Sequence, residues 1–265
     1  MQKLLLIFLL AIPLVIAAQQ KTYVPGDNFE MYLENHGVGD GIANNDSVWT
    51  GAIDTLKFIS EGDCGIINFT GIEDFTALEY LACWSLYGLN IDYIDLSFNT
   101  ELRYLDLSNT IHLPLNLSNN TKLEVFLCAY DPGPISMSNS VESIDVSNNP
   151  NLKILVCNKA NDLTTLNLRN GNNTNITNLN ISNNPNLNCV SVDDVNYSNA
   201  NWSRDSHTNF SNDCLINEIE ETLTLTDKTL IKIVDILGRE TKVVRNTLLF
   251  YIYKDGTVAK KIIID

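Results

Sequence analysis

A short apolar template recurs through the middle of the chain and restricts its fold more than any other feature. The template is a-x-x-a-x-a, where a is apolar, and ten copies start at Leu78, Ile91, Leu102, His112, Leu123, Val141, Leu152, Leu163, Ile176 and Leu187. Of the thirty slots so defined only His112 is not apolar, although hydrophobic residues make up 45% of the chain. Such a repeat predicts a solenoid, in which each unit buries its apolar side against its neighbours.

The template has the period of a strand. Its fourth and sixth positions lie two residues apart, so both side chains point inward, while the third and fifth point outward. Four copies run into Ser-x-Asn, at 97–99, 118–120, 147–149 and 182–184, and the next copy starts eleven residues after its predecessor. Asparagine amides bond the backbone of turns, so we expect an asparagine ladder. The pattern predicts coils of about 22 residues with two strands each.

These residues resemble the leucine-rich repeats, whose pattern is L-x-x-L-x-L-x-x-N/C-x-L. Leu102–Asn109 and Val141–Asn149 carry the resemblance most directly, and it covers roughly residues 53 to 192. It implies a mainly β leucine-rich-repeat solenoid. The pattern also departs from the family's. Eighteen residues separate the starts at Leu123 and Val141, so Asp131–Pro134 is predicted to form a loop, and the strand alternation slips between Leu152 and Leu187.

Both ends of a solenoid need caps, because the terminal coils otherwise expose their core. Residues 19–52 contain a Pro-led turn and a short amphipathic pattern with Phe29, Tyr32 and Leu33 on one side, which predicts a helical N-terminal cap. Residues 193–217 break the repeat but keep Tyr197, Trp202 and Phe210. These three rings are expected to close the other end.

The two termini predict export. Residues 1–18 carry Lys3 and an apolar run that ends at Ala18, which is the pattern of a secretory signal peptide. Residues 218–265 contain strand-like runs at 230–236, 247–253 and 258–264, with the hairpin signal Asp255-Gly256 between the last two. The tail resembles the C-terminal sorting domain of type IX secretion substrates. That resemblance implies a small β-sandwich-like domain, a secretion-machinery partner and removal of the tail.

Charge is unevenly distributed along the chain. Residues 19–217 hold 8 Lys/Arg and 24 Asp/Glu, whereas residues 218–265 hold 8 of each. An acidic body repels phosphate backbones, which argues against nucleic acid as a partner. No apolar run in the mature chain is long enough to span a membrane, which takes about 20 residues. We therefore expect a secreted or outer-surface protein.

Six cysteines in an exported chain indicate disulfides. Cys83, Cys128 and Cys157 occupy inward sixth positions, so they are expected to stay buried thiols. Cys189 falls at an outward third position and Cys214 lies beyond the aromatic cap. These two form the predicted disulfide, while Cys64 has no evident partner.

Catalytic, metal and cofactor sites have little support in the sequence. His36, His112 and His207 stand apart, without a metal-binding motif around them. The segment 40–46 has a calcium-like composition but lacks the spacing of an EF-hand loop, so a polar turn is expected. Asp193 and Asp194 would point apart on a strand, so a capping turn is the better interpretation. The sequence predicts neither an enzyme nor a cofactor.

Alternate strands differ in their outward residues. Copies starting at Ile91, His112, Val141 and Leu163 present mostly polar third and fifth positions. The outward positions of the other set are largely apolar, and those predicted to form the binding stripe are Tyr80, Tyr104, Val125, Leu127, Ile154 and Val156. Stacked strands would bring them together, and soluble proteins seldom expose such patches without a partner. Aromatic and branched residues also favour strands for intrinsic reasons, so a purely structural role stays open.

The sequence thus predicts a non-catalytic binding module with a protein or glycan ligand. The alternatives are a structural spacer at the surface or in a matrix and, less favoured, an extracellular hydrolase. The repeat itself does not name the ligand.

Overall fold

The computed structural model describes residues 20–62, 65–85, 89–110, 115–129, 141–214, 230–244, 247–254 and 256–262. These residues form two compact units that divide between Cys214 and Leu215. The first unit is a leucine-rich-repeat solenoid with parallel strands on two sides, as predicted. The predictions for the signal peptide, His112, the Asp131 loop and Cys64 lie outside the described residues.

Two parallel sheets form the sides of the solenoid. The six-stranded sheet contains β3 (Phe58–Gly62), β4 (Tyr80–Trp84), β5 (Tyr104–Asp106), β6 (Val125–Leu127), β8 (Ile154–Val156) and β10 (Asn178–Asn180). The four-stranded sheet contains β7 (Ser143–Asp145), β9 (Thr165–Asn167), β11 (Cys189–Ser191) and β12 (Asn209–Ser211). From β6 to β11 the chain alternates between the two sheets, so these coils have two strands each, as predicted, whereas β12 follows β11 within the four-stranded sheet. In the coil before β5 the copy starting at Ile91 forms an isolated bridge at Tyr93 rather than the predicted strand.

The core is the stack of inward template positions. Leu81, Leu105, Phe126 and Leu155 lie in register on consecutive strands of the six-stranded sheet, and each is at most 1% exposed. The first template position is equally buried, as at Leu102, which has no exposed surface. Each coil therefore buries its apolar residues against the coils on both sides, which confirms the inward phase of the template.

Asparagine side chains link successive coils on the edge that follows the four-stranded sheet. The ladder consists of Asn99, Asn120, Asn149 and Asn170. Asn120 shows its geometry, since its Nδ2 donates to the carbonyls of Leu96 and Asn99 at 3.0 and 2.9 Å. On the other edge, after β5, the hydroxyl of Thr110 replaces the amide and donates to the Cys83 carbonyl at 3.2 Å. The predicted ladder is confirmed for Asn99, Asn120 and Asn149, but Asn184 follows β10 on the other edge, where it donates to the Cys157 carbonyl at 2.8 Å. On that edge Thr110 rather than Asn109 holds the position after β5.

Three features of the solenoid differ from the sequence prediction. The strand β3 precedes the first recognised template copy and pairs in register with β4. The strand β12 lies in the segment expected to break the repeat, yet it extends the four-stranded sheet beside β11. The strands β8, β9, β10 and β11 alternate regularly between the sheets, so the expected slip is absent. A 3-10 turn at Asn173–Asn175 takes up the extra residues between β9 and β10.

The N-terminal cap is helical, as predicted. It comprises α1 (Asp27–Asn35), α2 (Thr50–Ile53) and an antiparallel pair of strands, β1 (Lys21–Tyr23) and β2 (Ser47–Trp49). Phe29 of α1 has no exposed surface, and its ring lies 5.2 Å from that of Phe69 and 5.7 Å from that of Phe75. Leu33, one turn further along α1, is also fully buried. The helix therefore covers the core of the first coil.

The other end of the solenoid is covered by α3 (Val195–Asn201) and three rings. Trp202 lies edge-on to Tyr197 and Phe210, with ring centroids 5.9 and 5.8 Å apart. Asp194 is the N-cap of the helix, and its carboxylate accepts hydrogen bonds from the backbone N–H groups of Asn196 and Tyr197. The three rings named in the sequence analysis thus pack on one another in this segment.

The second unit contains an antiparallel sheet in its described residues. The strands are β13 (Leu230–Val234), β14 (Leu248–Tyr253) and β15 (Val258–Ile262), with β14 in the centre. The chain reverses between β14 and β15, where Gly256 has a positive φ of 81° and its N–H donates to the Tyr253 carbonyl. This confirms the predicted hairpin. Throughout the described part of the chain, no helix is long and apolar enough to cross a membrane.

Candidate binding face

The outward side of the six-stranded sheet carries a set of neighbouring apolar side chains, which we name the apolar face. Its members are Phe58, Tyr80, Ala82, Trp84, Tyr104, Val125, Leu127, Ile154 and Val156. They fall in two rows because the strands pair in register, so that Tyr80, Tyr104, Val125 and Ile154 are successive neighbours. All six residues predicted for the binding stripe lie on this face, and all six are partly exposed.

The first row begins with three stacked aromatic rings. Phe58 and Tyr80 lie 4.0 Å apart with 4° between their planes, and Tyr80 and Tyr104 lie 4.2 Å apart with 9° between theirs. Rings stacked in this way cover each other's faces, so Tyr80 has neither face open to a ligand. Burial and the neighbouring Tyr80 hydroxyl raise the pKa of Tyr104 above its usual range. The stack therefore covers both faces of Tyr80, whereas Phe58 at its end stays 58% exposed.

The second row is less uniform. Ala82, Leu127 and Val156 are apolar, but Asp106 stands between Ala82 and Leu127 in the register. Its carboxylate accepts the N–H of Ser108 at 3.0 Å and so holds the turn that follows β5. The same residue type two positions before a serine supports other turns, for example Asp145 before Ser147. Asp106 is thus explained by the turn and interrupts the apolar surface.

Three members of the apolar face lie outside the predicted six: Phe58, Trp84 and the buried Ala82. Phe58 was overlooked because the copy starting at Leu56 has Glu61 in its inward sixth position and so breaks the template. The sequence offered one indication of this earlier copy, because Leu56 precedes Leu78 by 22 residues, the length of one coil. Trp84 lies beyond the sixth position of its own copy. Its indole packs on Gly62, where an added Cβ would lie 2.6 Å from the ring.

A line of alternating charges runs along one side of the first row, and we name it the charge column. It consists of the residues immediately before each strand: Lys57, Glu79, Arg103, Glu124 and Lys153. The ion pairs Lys57–Glu79, Arg103–Glu124 and Lys153–Glu124 span 2.6, 2.9 and 2.6 Å. Hydrogen bonds from Lys57 and Lys153 lower the pKa values of Glu79 and Glu124, respectively. Each pair is partly exposed and joins neighbouring strands of the sheet.

The four-stranded sheet has a different outer surface. Its outward side chains include Ser143, Asp145, Thr165 and Asn167, as the sequence predicted for these strands. Three of the four are exposed, and Asn167 is partly so. The two sheets share the same inward template but differ outside. The apolar character of one side is therefore not a requirement of the fold.

The cysteines fall into three groups. Cys189 and Cys214 form a disulfide with a Cα–Cα distance of 5.7 Å, as predicted. Cys128 and Cys157 are buried thiols, also as predicted, and burial raises the pKa of Cys128. The prediction for Cys83 is wrong, because this residue is disulfide-bonded although it is 1% exposed in the core. The prediction that its side chain points inward was correct, but an inward cysteine in the first coils can still form a disulfide.

The residues considered for metal or acid–base chemistry have structural contacts instead. Within the described ranges, no group of three or more His, Cys, Asp or Glu residues is arranged to hold a metal ion. Asp193 accepts N–H groups of Gly171 and Asn173, and Asp194 caps α3, so the pair belongs to turns. In the calcium-like segment 40–46, the ammonium group of Lys21 donates a hydrogen bond to the carboxylate of Asp40.

Solved structures with a similar fold include two from Listeria monocytogenes. The functional domain of InlJ, which includes a cysteine ladder, is 26% identical, with a TM-score of 0.48, over 65% of this chain and 38% of its own. Internalin C2 is 16% identical, with a TM-score of 0.42, over 78% of this chain and 95% of its own. The chain thus spans well under half the length of the first of these proteins. No family model matches the chain, and no curated protein matches it.

Proposed function

We propose that this protein is an exported, non-catalytic binding module that holds a protein ligand on the apolar face. The observation that carries the proposal is the asymmetry between the two sheets. Both use the same inward template, yet in the described part of the chain only the six-stranded sheet presents a contiguous row of aromatic and branched side chains. Tyrosine combines ring burial with a hydroxyl group, so Tyr80 and Tyr104 are suited to anchor a ligand.

The stacking geometry favours a protein over a glycan. Sugars bind aromatic residues by lying against an open ring face, and both faces of Tyr80 are covered by neighbouring rings. A spacer without a defined site is the second candidate. It gains support from the polar outer surface of the four-stranded sheet, but it does not account for the apolar face.

A capture experiment tests this function. The unchanged protein should capture a partner from the medium in which the producing organism grows. The double variant Tyr104→Ser/Leu127→Ser should fail to capture that partner. The matched control Ser143→Ala/Thr165→Ala alters the other sheet and should retain the same partner. Equal capture by both variants would reject the apolar face as the site.

Export rests on both termini and on the disulfides, which persist in oxidising compartments. The mature form is proposed to start near Gln19 and to lose the tail after about Asn217 during export by the type IX machinery, because the tail resembles the sorting domain of that machinery's substrates. The intact mass of the exported protein measures both processing steps. A mass that includes Asp265 would contradict tail removal without affecting the binding proposal.

A further inference from the structure

The dimensions of the apolar face restrict what can cover it. It extends over five strands, from β3 to β8, and strands spaced by about 4.8 Å give it a length of about 24 Å. Three residues of strand give it a width of about 10 Å. The resulting area of about 240 Å² falls far short of the roughly 800 Å² per partner that a stable protein dimer buries. A second copy of this chain laid face to face is therefore a poor occupant.

An α-helix has the matching shape. Its diameter is about 10 Å, close to the width of the face, and 24 Å corresponds to about 16 helical residues. Apolar residues three and four positions apart on a helix recur about every 5 Å along its axis, close to the strand spacing. A helix that runs across the strands therefore sets one apolar residue against each strand. An extended segment laid across the strands is only as wide as one strand, so it leaves part of the width of the face uncovered.

The charge column supplies the second constraint. Its signs alternate from Lys57 to Lys153, so like charges recur every second strand, about 9.6 Å apart. Residues seven apart on a helix are separated by about 10.5 Å. A helix with alternating Glu and Lys along one flank thus keeps its charges near opposite partners over the length of the face. The body around it is acidic, but three of its eight basic residues, Lys57, Arg103 and Lys153, lie in the charge column.

From this match we infer that the protein ligand contributes an amphipathic helix of about 16 residues that lies across the strands of the apolar face. The inference rests on the proposed function and names the part of the partner that is recognised. The apolar ridge of the helix covers the row from Phe58 to Ile154, and one charged flank follows the charge column. Affinity comes mainly from the buried ridge, because exposed ion pairs contribute little.

Three synthetic 16-residue peptides of one composition test this inference against the full chain. The first has a leucine ridge at helical spacing and alternating Glu and Lys on one flank. The second keeps the ridge but groups the Glu and Lys residues in separate blocks. The third has its residues scrambled so that no ridge forms. Calorimetry measures affinity, and circular dichroism measures the helix gained on binding.

We expect the first peptide to bind with a gain of helix and the scrambled peptide to bind at least about tenfold more weakly. Grouping the charges should weaken binding about two- to fivefold at low salt. Tyr104→Ser/Leu127→Ser should abolish the preference for the ridge, whereas Ser143→Ala/Thr165→Ala should preserve it. The melting temperature of each variant checks that it is folded.

The helix is rejected if the scrambled peptide binds as tightly as the first, or if binding brings no gain of helix. Concentration-dependent self-association that the Tyr104→Ser/Leu127→Ser variant lacks would instead identify a second copy as the occupant. The two proposals fail separately. Partner capture that depends on the apolar face, together with no peptide preference, keeps the proposed function and removes the helix.

Discussion

At the scale of single residues, the ladder amides do more for the solenoid than their polarity suggests. Each amide Nδ2 is buried at the turn and donates across the gap between two coils, so it ties together backbone segments that are far apart in sequence. Among the described residues, no donor lies within hydrogen-bonding distance of the amide oxygens of Asn99, Asn120 and Asn149. The donor function therefore carries the contribution of these residues.

Replacing Asn120 tests that contribution. Asn120→Ala removes two buried donors and should lower the free energy of unfolding by about 1–3 kcal/mol. Urea unfolding measures the change. The neighbouring Asn119 supplies a matched control, because its Nδ2 also donates to the preceding coil, at Ser97, but is exposed. Asn119→Ala should cost well under about 1 kcal/mol. Equal losses in the two variants would show that burial of the ladder is irrelevant.

Asp40 makes the N-terminal cap sensitive to acid. The hydrogen bond from Lys21 is the main cause that lowers the pKa of Asp40 from 3.8 to about 2. A carboxyl whose pKa is lowered by folding stabilises the protein above its unfolded pKa and loses that contribution as the pH falls through the folded value. The contribution of Asp40 should therefore be complete above about pH 5 and be lost between pH 3.8 and 2.

Comparison with Asp40→Asn isolates this effect. At pH 6 the variant should unfold at lower urea than the parent, and the two should converge at pH 2. A difference that stays constant from pH 6 to pH 2 would mean that the Asp40 charge does not stabilise the cap. Other carboxyl groups also titrate in this range, so the difference between the two proteins is the relevant quantity.

At the scale of elements, β3 is held in the six-stranded sheet by contacts from two directions. Its backbone pairs with β4, and the N–H of Ser60 donates to the Tyr32 hydroxyl of α1 at 3.3 Å. Gly62 leaves room for the Trp84 indole at the end of this strand pair. The N-terminal cap and the apolar face are therefore parts of one packed structure.

Gly62→Ala should displace the Trp84 ring, because the new Cβ would lie 2.6 Å from it. We expect a red shift of tryptophan emission as the indole moves into solvent, with only a small loss of stability since the ring can rotate away. In a Trp84→Leu background the same glycine substitution should leave the emission unchanged. A shift that persists in that background would have to come from Trp49 or Trp202.

At the scale of the whole molecule, the solenoid is closed at its C-terminal end by a covalent link. The Cys189–Cys214 disulfide joins β11 to the residue at which the first compact unit ends, across 25 residues that include α3 and β12. Cross-linking a loop of this length restricts the unfolded chain and contributes about 3 kcal/mol. The aromatic cap lies within the linked segment.

Removing this disulfide should loosen the end of the solenoid first. We expect Cys189→Ser/Cys214→Ser to lower the free energy of unfolding by about 2–4 kcal/mol and to speed hydrogen exchange in α3 and β12 more than in β5. Cys128→Ser is the comparison, because it alters a buried thiol in the middle of the solenoid. A uniform increase in exchange in the disulfide variant would contradict a local role for the link.

The sequence alone determined the repeating unit. A period-two pattern repeated at the coil length specifies which side chains point inward, and so it was enough to predict the two-sided solenoid, its core, the asparagine ladder and the apolar character of one side. The same pattern predicted that Cys189 points outward, whereas Cys128 and Cys157 point inward. These features depend on residues close together in the chain, where spacing translates directly into direction.

Only the tertiary structure decided which coils are neighbours and what their side chains do to each other. Val125 pairs with Ile154 across 29 residues, whereas Tyr104 pairs with Val125 across 21. The template gives these residues equivalent positions, but only strand pairing shows that the longer separation keeps the same register. The stacked rings, the charge column, the place of β3 and the bond at Cys83 all depend on this alignment. The same physical reason applies to all of them. Each is a contact between coils, and strand pairing between distant parts of the chain sets its geometry, whereas residues adjacent in sequence do not.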